Sequence, residues 1–264
     1  MHVTSHLRAG VPARPDLSIV IPAFNEANRI TRTLAAIRRY AEVNGKHIEL
    51  IVVDDGSMDQ TAEIARDFDA GPLTVEVLVN ETNRGKGYSV RRGMLAAHGR
   101  VLLMSDADMS TPIEDIEKLL PWIEDGHDVA IGSRNMPESE LRPSQPLPRR
   151  MMGAMFRSLR RGLLRDGVRD SQCGFKCFTA AAAQEVFHRQ SETGFAFDCE
   201  ILAIARRLGL RIREVGVLWC DNRDSRVRPI RDSWRMLVAI FRIRSHIRRL
   251  DGAANAAEME QSAT

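Results

Sequence analysis

The sequence predicts an α/β fold in which a mostly parallel β-sheet is flanked by helices. Apolar stretches of strand length alternate with stretches of helical periodicity through the first half of the chain. The apolar stretches are continuous, which is typical of strands buried on both faces of a parallel sheet. Three of them end in acidic or polar turns, the pattern expected of a ligand site outside the carboxyl ends of such strands.

Each element of the first half follows from this pattern. Leu17–Ile21 is predicted to be a buried strand that Pro22 closes, because proline cannot donate to a strand ladder. A helix is predicted from Glu26 to about Val43, where apolar residues recur at helical spacing. The alternation continues with strand Ile48–Val53, a helix from about Asp59, strand Val75–Val79, helix Gly87–Ala97, strand Val101–Met104, helix Pro112–Ile123 and strand Asp128–Ile131.

The pattern weakens after residue 135. A polar, proline-rich loop precedes a predicted helix, Arg149–Leu164, that is rich in arginine and methionine. Strands are predicted at Phe175–Phe178 and Arg213–Trp219, and a helix at Ile201–Leu208. The chain thus divides into a flexible arm, one α/β domain, a basic amphipathic helix and a disordered tail, at residues 1–16, 17–230, 231–250 and 251–264.

The composition excludes several classes of protein. The chain has 264 residues, 44% of them hydrophobic and 28% charged, which excludes a disulfide-stapled miniprotein, a collagen-like fibre and a wholly disordered chain. The net charge is only +3, and 5% aromatic residues leave few rings to stack on bases. No nucleic-acid partner is predicted.

The cysteines and the apolar stretches indicate in which cellular compartment the protein works. The four cysteines form no CxxC pair, and we expect reduced thiols. Residues 1–16 lack the apolar core of a secretory signal, and runs such as Met236–Phe241 are too short to span a bilayer. A cytoplasmic protein that meets the membrane only peripherally, at its cytoplasmic face, is predicted.

Asp106 and Asp108 are the strongest candidates for a metal-binding role. They lie two residues apart at the end of a predicted strand, so both side chains would leave the same face. Carboxylate oxygens without histidine or cysteine suit Mg²⁺ or Mn²⁺, which would also bridge substrate phosphates. Asn25-Glu26 and Asp54–Ser57 end two other strands. Any one of these endings could be only a strand-to-helix turn, but three at one edge indicate a shared crevice.

Two common phosphate-binding signatures are absent from the sequence. No GxGxxG follows the first strand and no GxxxxGK occurs, which disfavours hydride transfer and ATP hydrolysis. Gly85-Lys86-Gly87 is too short for a P-loop. It still places flexible backbone and one cation at a predicted helix start, a suitable neighbour for a phosphate.

Together, seven segments resemble the family 2 inverting glycosyltransferases, which have the Rossmann-like GT-A fold. The later segments are most similar to the branch that acts on polyprenyl phosphates, the dolichyl-phosphate β-glucosyltransferases above all. The segments are Val20–Glu26, Val53–Ser57, Asn83–Gly87, Asp106–Asp108, Gly132–Arg134, Asp170–Lys176 and Phe197–Glu200.

The resemblance implies roles for individual residues. The positions that hold the nucleoside of a nucleotide-sugar are Pro22, Phe24, Glu26, Asp54 and Asp55. The metal-diphosphate motif is Asp106 and Asp108, with Ala107 against the ribose, and Lys86 and Arg134 are cations around the diphosphate and sugar. Asp170 and Asp198 match acidic positions at the reacting centre, and which of them matters is left open.

The predicted function is transfer of a hexose, glucose first, from a nucleotide-sugar to a polyprenyl or dolichyl phosphate with inversion. A lipid phosphate is already largely dianionic at neutral pH, with a second pKa of about 6, so it needs cations more than a base. The basic helices would supply them and meet the membrane surface. A family 2 enzyme with a soluble glycan or protein acceptor, or a silent nucleotide-sugar-binding protein, are the alternatives. The residues expected to hold the acceptor phosphate are Arg149, Arg150, Arg223 and Arg226.

Overall fold

The computed structural model describes residues 14–142, 158, 160–164, 167–220, 236 and 238–250. Nine strands are found in these residues, seven of them in one sheet with the spatial order β3-β2-β1-β4-β7-β5-β8. The strands are β1 Leu17–Ala23, β2 Ile48–Asp54, β3 Thr74–Val79, β4 Val101–Ser105, β5 Val129–Ser133, β6 Glu140–Arg142, β7 Phe175–Thr179, β8 Ile212–Gly216 and β9 Leu218–Cys220.

The sheet is mostly parallel, as the sequence predicts. β7 is the exception, because it runs antiparallel to both of its neighbours, β4 and β5. The two short strands β6 and β9 pair in parallel as a separate ribbon. The predicted strand Arg213–Trp219 is therefore wrong as a single element, since the chain leaves the large sheet after Gly216 and joins β6.

Helices cover both faces of the sheet. They are α1 Ile30–Asn44, α2 Thr61–Arg66, α3 Lys86–Ala96, a 3₁₀ helix Ile113–Lys118, α4 Leu120–Glu124, α5 Ala180–Arg189 and α6 Phe197–Arg207. Residues 238–250 are also helical. Side chains alternate across β1, so that Ile19 and Ile21 pack in one core with α1, while Val20 packs in a second core with α3, α5 and α6.

Several predicted boundaries are wrong. The helix predicted over Ile201–Leu208 is α6, which begins at Phe197, and three further differences have local reasons. β1 continues through Pro22, which lies beyond the β1–β4 pairing that ends at Val20. The first helix begins at Ile30 rather than Glu26, because a turn at Glu26 comes first. The predicted helix Pro112–Ile123 is two short helices that join at Leu119. β6 and α5 are not predicted from the sequence.

Some predictions fall largely outside the described residues. These are the arm over 1–16, most of the helix Arg149–Leu164, the first part of the basic helix over 231–250, and the tail over 251–264. Among the helices that are described, none combines the length and apolarity needed to cross a bilayer.

Candidate active site

The segments that carry the predicted site residues meet at one edge of the sheet. The parallel strands β1, β2, β4 and β5 all end there. Because β7 runs the other way, with Phe175 opposite Ser105, the residues just before β7 reach the same edge. Helices α3 and α6 begin close by, since Nζ of Lys86 is 5.9 Å from the ring centre of Phe197.

Asp106 follows β4 directly and pairs with the first residue of α3. Nζ of Lys86 lies 2.6 Å from Oδ1 of Asp106. On the other side of the carboxylate the backbone of Gly174 lies so close that a Cβ atom there would be 2.1 Å from Oδ2. The Asp106 side chain is still 34% exposed, so it can be reached from solvent.

Lys86 is the cation at the centre of this acidic edge. Burial lowers the pKa of Lys86, but the charges of Asp106, Asp198 and Asp108 outweigh burial and raise it. The ammonium group therefore stays charged across the physiological pH range.

Asp108 lies in the turn after β4. Its Oδ1 accepts a hydrogen bond from the backbone N–H of Ser110 at 2.9 Å. Met109 has a φ of 50°, a left-handed conformation that costs energy in a residue with a side chain. Ala107 is buried, and its carbonyl oxygen accepts from Oγ1 of Thr33 in α1 at 2.6 Å. The turn is thus held in one shape next to both carboxylates.

Arg134 and Asp170 form a second charged pair at this edge. The guanidinium donates two parallel hydrogen bonds to the carboxylate, from Nε at 2.7 Å and Nη2 at 2.8 Å. Burial would raise the pKa of Asp170, but the charge and hydrogen bonds of Arg134 hold it at about 2. Asp170 is consequently a fixed anion that orients Arg134, and it is a very weak base.

Asp198 is paired with a lysine inside the protein. The fully buried Nζ of Lys176 donates to Oδ1 of Asp198 and to the carbonyl oxygen of Cys173. Burial raises the pKa of Asp198 above its ordinary value, although the charges of Lys176 and Lys86 oppose this. Asp198 thus differs from Asp170, whose pKa is lowered.

The two acids at the end of β2 are buried, and both accept hydrogen bonds from the backbone of neighbouring loops. Asp55 accepts from the backbone N–H groups of Arg84 and Gly85 at 2.9 and 2.8 Å, and from the side chain of Asn80 at 2.7 Å. Asp54 accepts from the backbone N–H of Ser57 at 3.1 Å. Asp55 therefore holds the segment that presents Lys86.

The loop after β1 carries the remaining predicted nucleoside residues. Its Glu26 carboxylate accepts two hydrogen bonds from Arg29 at 2.7 and 2.8 Å. Asn25 joins this loop to the one after β2, since its side-chain oxygen accepts from the backbone N–H of Met58 at 2.8 Å. Pro22 and Phe24 lie at the carboxyl end of β1, so all five predicted nucleoside residues flank two adjacent strand ends.

Glycines at 85 and 87 allow a second segment to pack against Lys86. A Cβ atom on Gly85 would lie 2.4 Å from the carbonyl oxygen of Thr193, and one on Gly87 would lie 2.6 Å from that of Glu192. Gly85 also has a φ of 97°, which a residue with a side chain rarely adopts. The Gly85-Lys86-Gly87 motif is therefore explained by packing as well as by the cation it carries.

The donor atoms fit a cation that also takes ligands from a substrate. Within the described residues, no group of three or more histidine, cysteine, aspartate or glutamate side chains could hold a metal by itself. Mg²⁺ commonly binds through one or two carboxylates together with phosphate oxygens and water. Asp106 and Asp108 match that donor set.

Not every predicted site residue can be placed. The four expected acceptor residues, Arg149, Arg150, Arg223 and Arg226, lie outside the described residues. Conversely, the contacts of Gly174 with Asp106 and of Lys176 with Asp198 are not predicted from the sequence. Both lie in Asp170–Lys176, so the motif gave the signal, but the close approach and the buried ion pair depend on the antiparallel placement of β7.

Comparison with known proteins defines the class of this protein as glycosyltransferase. Residues 18–189 match the family described as Glycosyl transferase family 2. This chain belongs to that family, as the sequence motifs indicate.

Similar proteins named dolichyl-phosphate beta-glucosyltransferase occur in several animals. The one from Mus musculus is 37% identical over 227 residues, which cover 81% of this chain and 70% of the relative. The one from Homo sapiens is 35% identical over 226 residues, with 81% and 70% covered. The one from Drosophila melanogaster is 34% identical over 261 residues, with 93% and 79% covered.

Solved structures confirm the predicted GT-A fold. Glucosyl-3-phosphoglycerate synthase from Mycobacterium tuberculosis, in complex with Mn²⁺, UDP and glucosyl-3-phosphoglycerate, has a TM-score of 0.63 at 20% identity, covering 91% of this chain and 86% of that one. Mannosyl-3-phosphoglycerate synthase from Rubrobacter xylanophilus has a TM-score of 0.64 at 22% identity, covering 90% and 75%.

Proposed function

We propose that this glycosyltransferase moves glucose from a nucleotide-sugar, UDP-glucose in the first place, to a polyprenyl phosphate such as dolichyl phosphate, with inversion at the anomeric carbon. The observation that carries the proposal is the similarity to dolichyl-phosphate beta-glucosyltransferases over four-fifths or more of the chain.

In this proposal the loops after β1 and β2 form the nucleoside site. Pro22, Phe24 and Glu26 would line one side of it. Asp54 and Asp55 would form the other side, and their hydrogen bonds to neighbouring backbone would keep its shape when the site is empty. This is preorganisation, which lowers the entropy lost on binding.

The charged groups beyond that site would bind the diphosphate. Negative charge grows on the nucleoside diphosphate as it departs, and Lys86 and Arg134 are two cations at this edge that could bind it. Asp106 and Asp108 would hold Mg²⁺ or Mn²⁺, which supplies further positive charge to the leaving group. Lys86 would then exchange its contact with Asp106 for one with a phosphate oxygen.

The low pKa of the Asp170 carboxyl favours a phosphate group as the acceptor. An acceptor hydroxyl needs a base to remove its proton, whereas a phosphate monoester is already ionised at neutral pH. Asp170 cannot supply that base well, because Arg134 holds the pKa of its carboxyl at about 2. We therefore assign Asp170 to positioning of Arg134 rather than to proton transfer.

The acceptor would approach from a membrane surface. Arg149, Arg150, Arg223 and Arg226 are the residues we propose to hold its phosphate. The helical residues 238–250 carry exposed arginines at several positions, and each such cation adds on the order of 1 kcal/mol of attraction near an anionic leaflet. We propose peripheral association with the cytoplasmic face of the membrane on that basis.

A direct test uses the purified chain, labelled UDP-glucose, Mg²⁺ and a polyprenyl phosphate in detergent. The expected product is extracted into organic solvent and releases glucose in mild acid. Other common nucleotide-sugars, tested in parallel, define the donor. If none of them yields an extractable product, the lipid acceptor is rejected.

A hydroxyl acceptor is the second candidate, and Asp198 is the residue that would serve it. Burial raises the pKa of Asp198, which makes it a better base than Asp170. If a soluble sugar acceptor is glucosylated and Asp198→Asn alone abolishes that reaction with the fold intact, this second function is supported. Turnover only with polyprenyl phosphate supports the first.

A further inference from the structure

A pocket separate from the catalytic edge lies between α5–α6 and the C-terminal helical residues. Its volume is about 320 Å³, the size of a small ligand site. One wall is the segment 191–193, and the other is the helix over 242–249. It is lined by Ser191, Glu192, Thr193, Arg242, Ile243, Ser245, His246 and Arg249.

The pocket is lined by more cationic than anionic groups. Arg242 and Arg249 face it, and Glu192 is the one acid in its lining. That acid is already engaged, since Oε2 lies 3.2 Å from Nη2 of Arg242 and Oε1 accepts from the backbone N–H of Gly194 at 3.1 Å. Arg249 forms no hydrogen bond or ion pair with any described residue, so its guanidinium is available to a ligand.

The walls are fixed before any ligand arrives. The fully buried carboxylate of Glu200 accepts from the backbone N–H groups of Ser191 and Glu192 at 3.0 and 2.7 Å. Nε2 of His246 lies 2.9 Å from the carbonyl oxygen of Arg189, and the side chain of Ile243, on the same helix, is buried. Walls that are already ordered lose little further entropy when the pocket takes up an anion.

We propose that this pocket binds a phosphate group, with Arg249 and Arg242 as its cations and the hydroxyls of Ser245 and Thr193 as further donors. Arginine presents a planar set of N–H donors that matches phosphate oxygens. The phosphate can come from a glycerophospholipid headgroup or from a free phosphate.

The surroundings favour a lipid headgroup. Phe241 lies four residues before Ser245 on the same exposed helix face, and its side chain is 55% exposed. Val238, one turn earlier, is 43% exposed. Apolar side chains next to a phosphate pocket fit the boundary between headgroups and acyl chains. The wall 191–193 also packs on Gly85 and Gly87, so a bound headgroup would place the catalytic edge next to the bilayer.

The test is calorimetric titration of the full chain, without donor or metal, using inorganic phosphate in one arm and soluble short-chain phosphatidic acid in the other. Arg249→Gln should weaken binding by about tenfold or more, because it removes a charge-assisted pair. Arg248→Gln is the matched control, since it removes the same charge from an exposed neighbour that does not line the pocket. It should change binding less than twofold.

Ser245→Leu, which fills the pocket without changing charge, should weaken binding as well. Tighter binding of phosphatidic acid than of phosphate identifies a lipid headgroup, and equal binding identifies free phosphate. The proposal is overturned if the unaltered chain binds neither probe, or if Arg248→Gln loses as much affinity as Arg249→Gln. Because binding is measured without turnover, the result is independent of the proposed glucosyl transfer.

Discussion

A Cβ atom on Gly174 would lie 2.1 Å from Oδ2 of Asp106 and within 2.5 Å of the whole carboxylate. Gly174→Ala should therefore displace Asp106, whose side chain is partly exposed and can rotate away. The fold should survive, while a shift of the carboxylate by about 1 Å is enough to lower glucosyl transfer by about 100-fold. Initial rates and the melting temperature measure the two effects.

Gly162→Ala is the control for that substitution. Gly162 is exposed in a helical stretch, and nothing lies within 4 Å of the position its Cβ would take. The Gly162→Ala variant should transfer glucose at the same rate as the unaltered chain. Normal activity in Gly174→Ala would mean that transfer does not depend on where the Asp106 carboxylate lies.

Asp108→Asn tests the second carboxylate of the pair. The asparagine oxygen can still accept from the backbone N–H of Ser110, so the turn should keep its shape and the melting temperature should hardly change. Loss of the negative charge should lower the rate by about 100-fold or more, the usual size of an electrostatic contribution at a reacting centre. Glu114→Gln, at an exposed acid of the 3₁₀ helix, should leave the rate unchanged. Clear unfolding of Asp108→Asn would instead assign Asp108 to the scaffold.

The placement of the site residues at one edge of the sheet was predictable, because the motifs that indicate it are local in the sequence. Continuous apolar strands that end in Asn25-Glu26, Asp54-Asp55 and Asp106–Asp108 require only that parallel strands end together. The bonding of the acids was not predictable in the same way. Whether Asp55 faces a ligand or the backbone of Arg84 depends on how the loop after β3 folds back, and no periodicity encodes that.

β7 shows the same limit at the level of topology. Its apolar sequence, Phe175–Thr179, identifies a buried strand. The residues of a strand do not determine whether it runs parallel or antiparallel to its neighbours. Direction decides the site here, because only an antiparallel β7 brings Gly174 to Asp106 and Lys176 beneath Asp198. The motif Asp170–Lys176 could thus be found from sequence, and its physical role could not.

Asp170 should make stability depend on pH in the acid range. Burial would raise the pKa of its carboxyl, but Arg134 holds it at about 2, below the ordinary value of 3.8. The contribution is therefore complete above about pH 4 and is lost as the pH falls through about 2, and it is on the order of 2 kcal/mol. In denaturant titrations the stability difference between the unaltered chain and Asp170→Asn should shrink over that interval. A difference for Asp170→Asn that stays constant over this pH interval would contradict the assignment.

Lys176 and Asp198 should behave as one unit in a double-mutant cycle. Lys176→Met leaves the buried carboxylate without its partner and should lower the free energy of unfolding by about 3–5 kcal/mol. Adding Asp198→Asn should restore part of that loss, because the unpaired charge is removed as well. Guanidinium unfolding of the four proteins gives the coupling energy, and simple additivity would show that the two side chains do not depend on each other.

Replacing Lys86 with an uncharged residue should have opposite effects on the affinity for a divalent metal ion and on the affinity for the nucleotide-sugar donor. Its ammonium lies 2.6 Å from Oδ1 of Asp106, so a divalent ion that binds alone must compete with it for that carboxylate. Lys86→Met removes the competitor and should tighten binding of Mn²⁺ alone by about tenfold, a modest part of what such a charge contact can contribute. The same variant should bind UDP-glucose more weakly and transfer glucose more slowly, because one cation for the diphosphate is lost.

Lys86→Arg keeps the charge and should stay close to the unaltered chain in Mn²⁺ affinity. Electron paramagnetic resonance of free Mn²⁺ and donor titrations measure the two affinities separately, and weaker Mn²⁺ binding in Lys86→Met would refute this exchange.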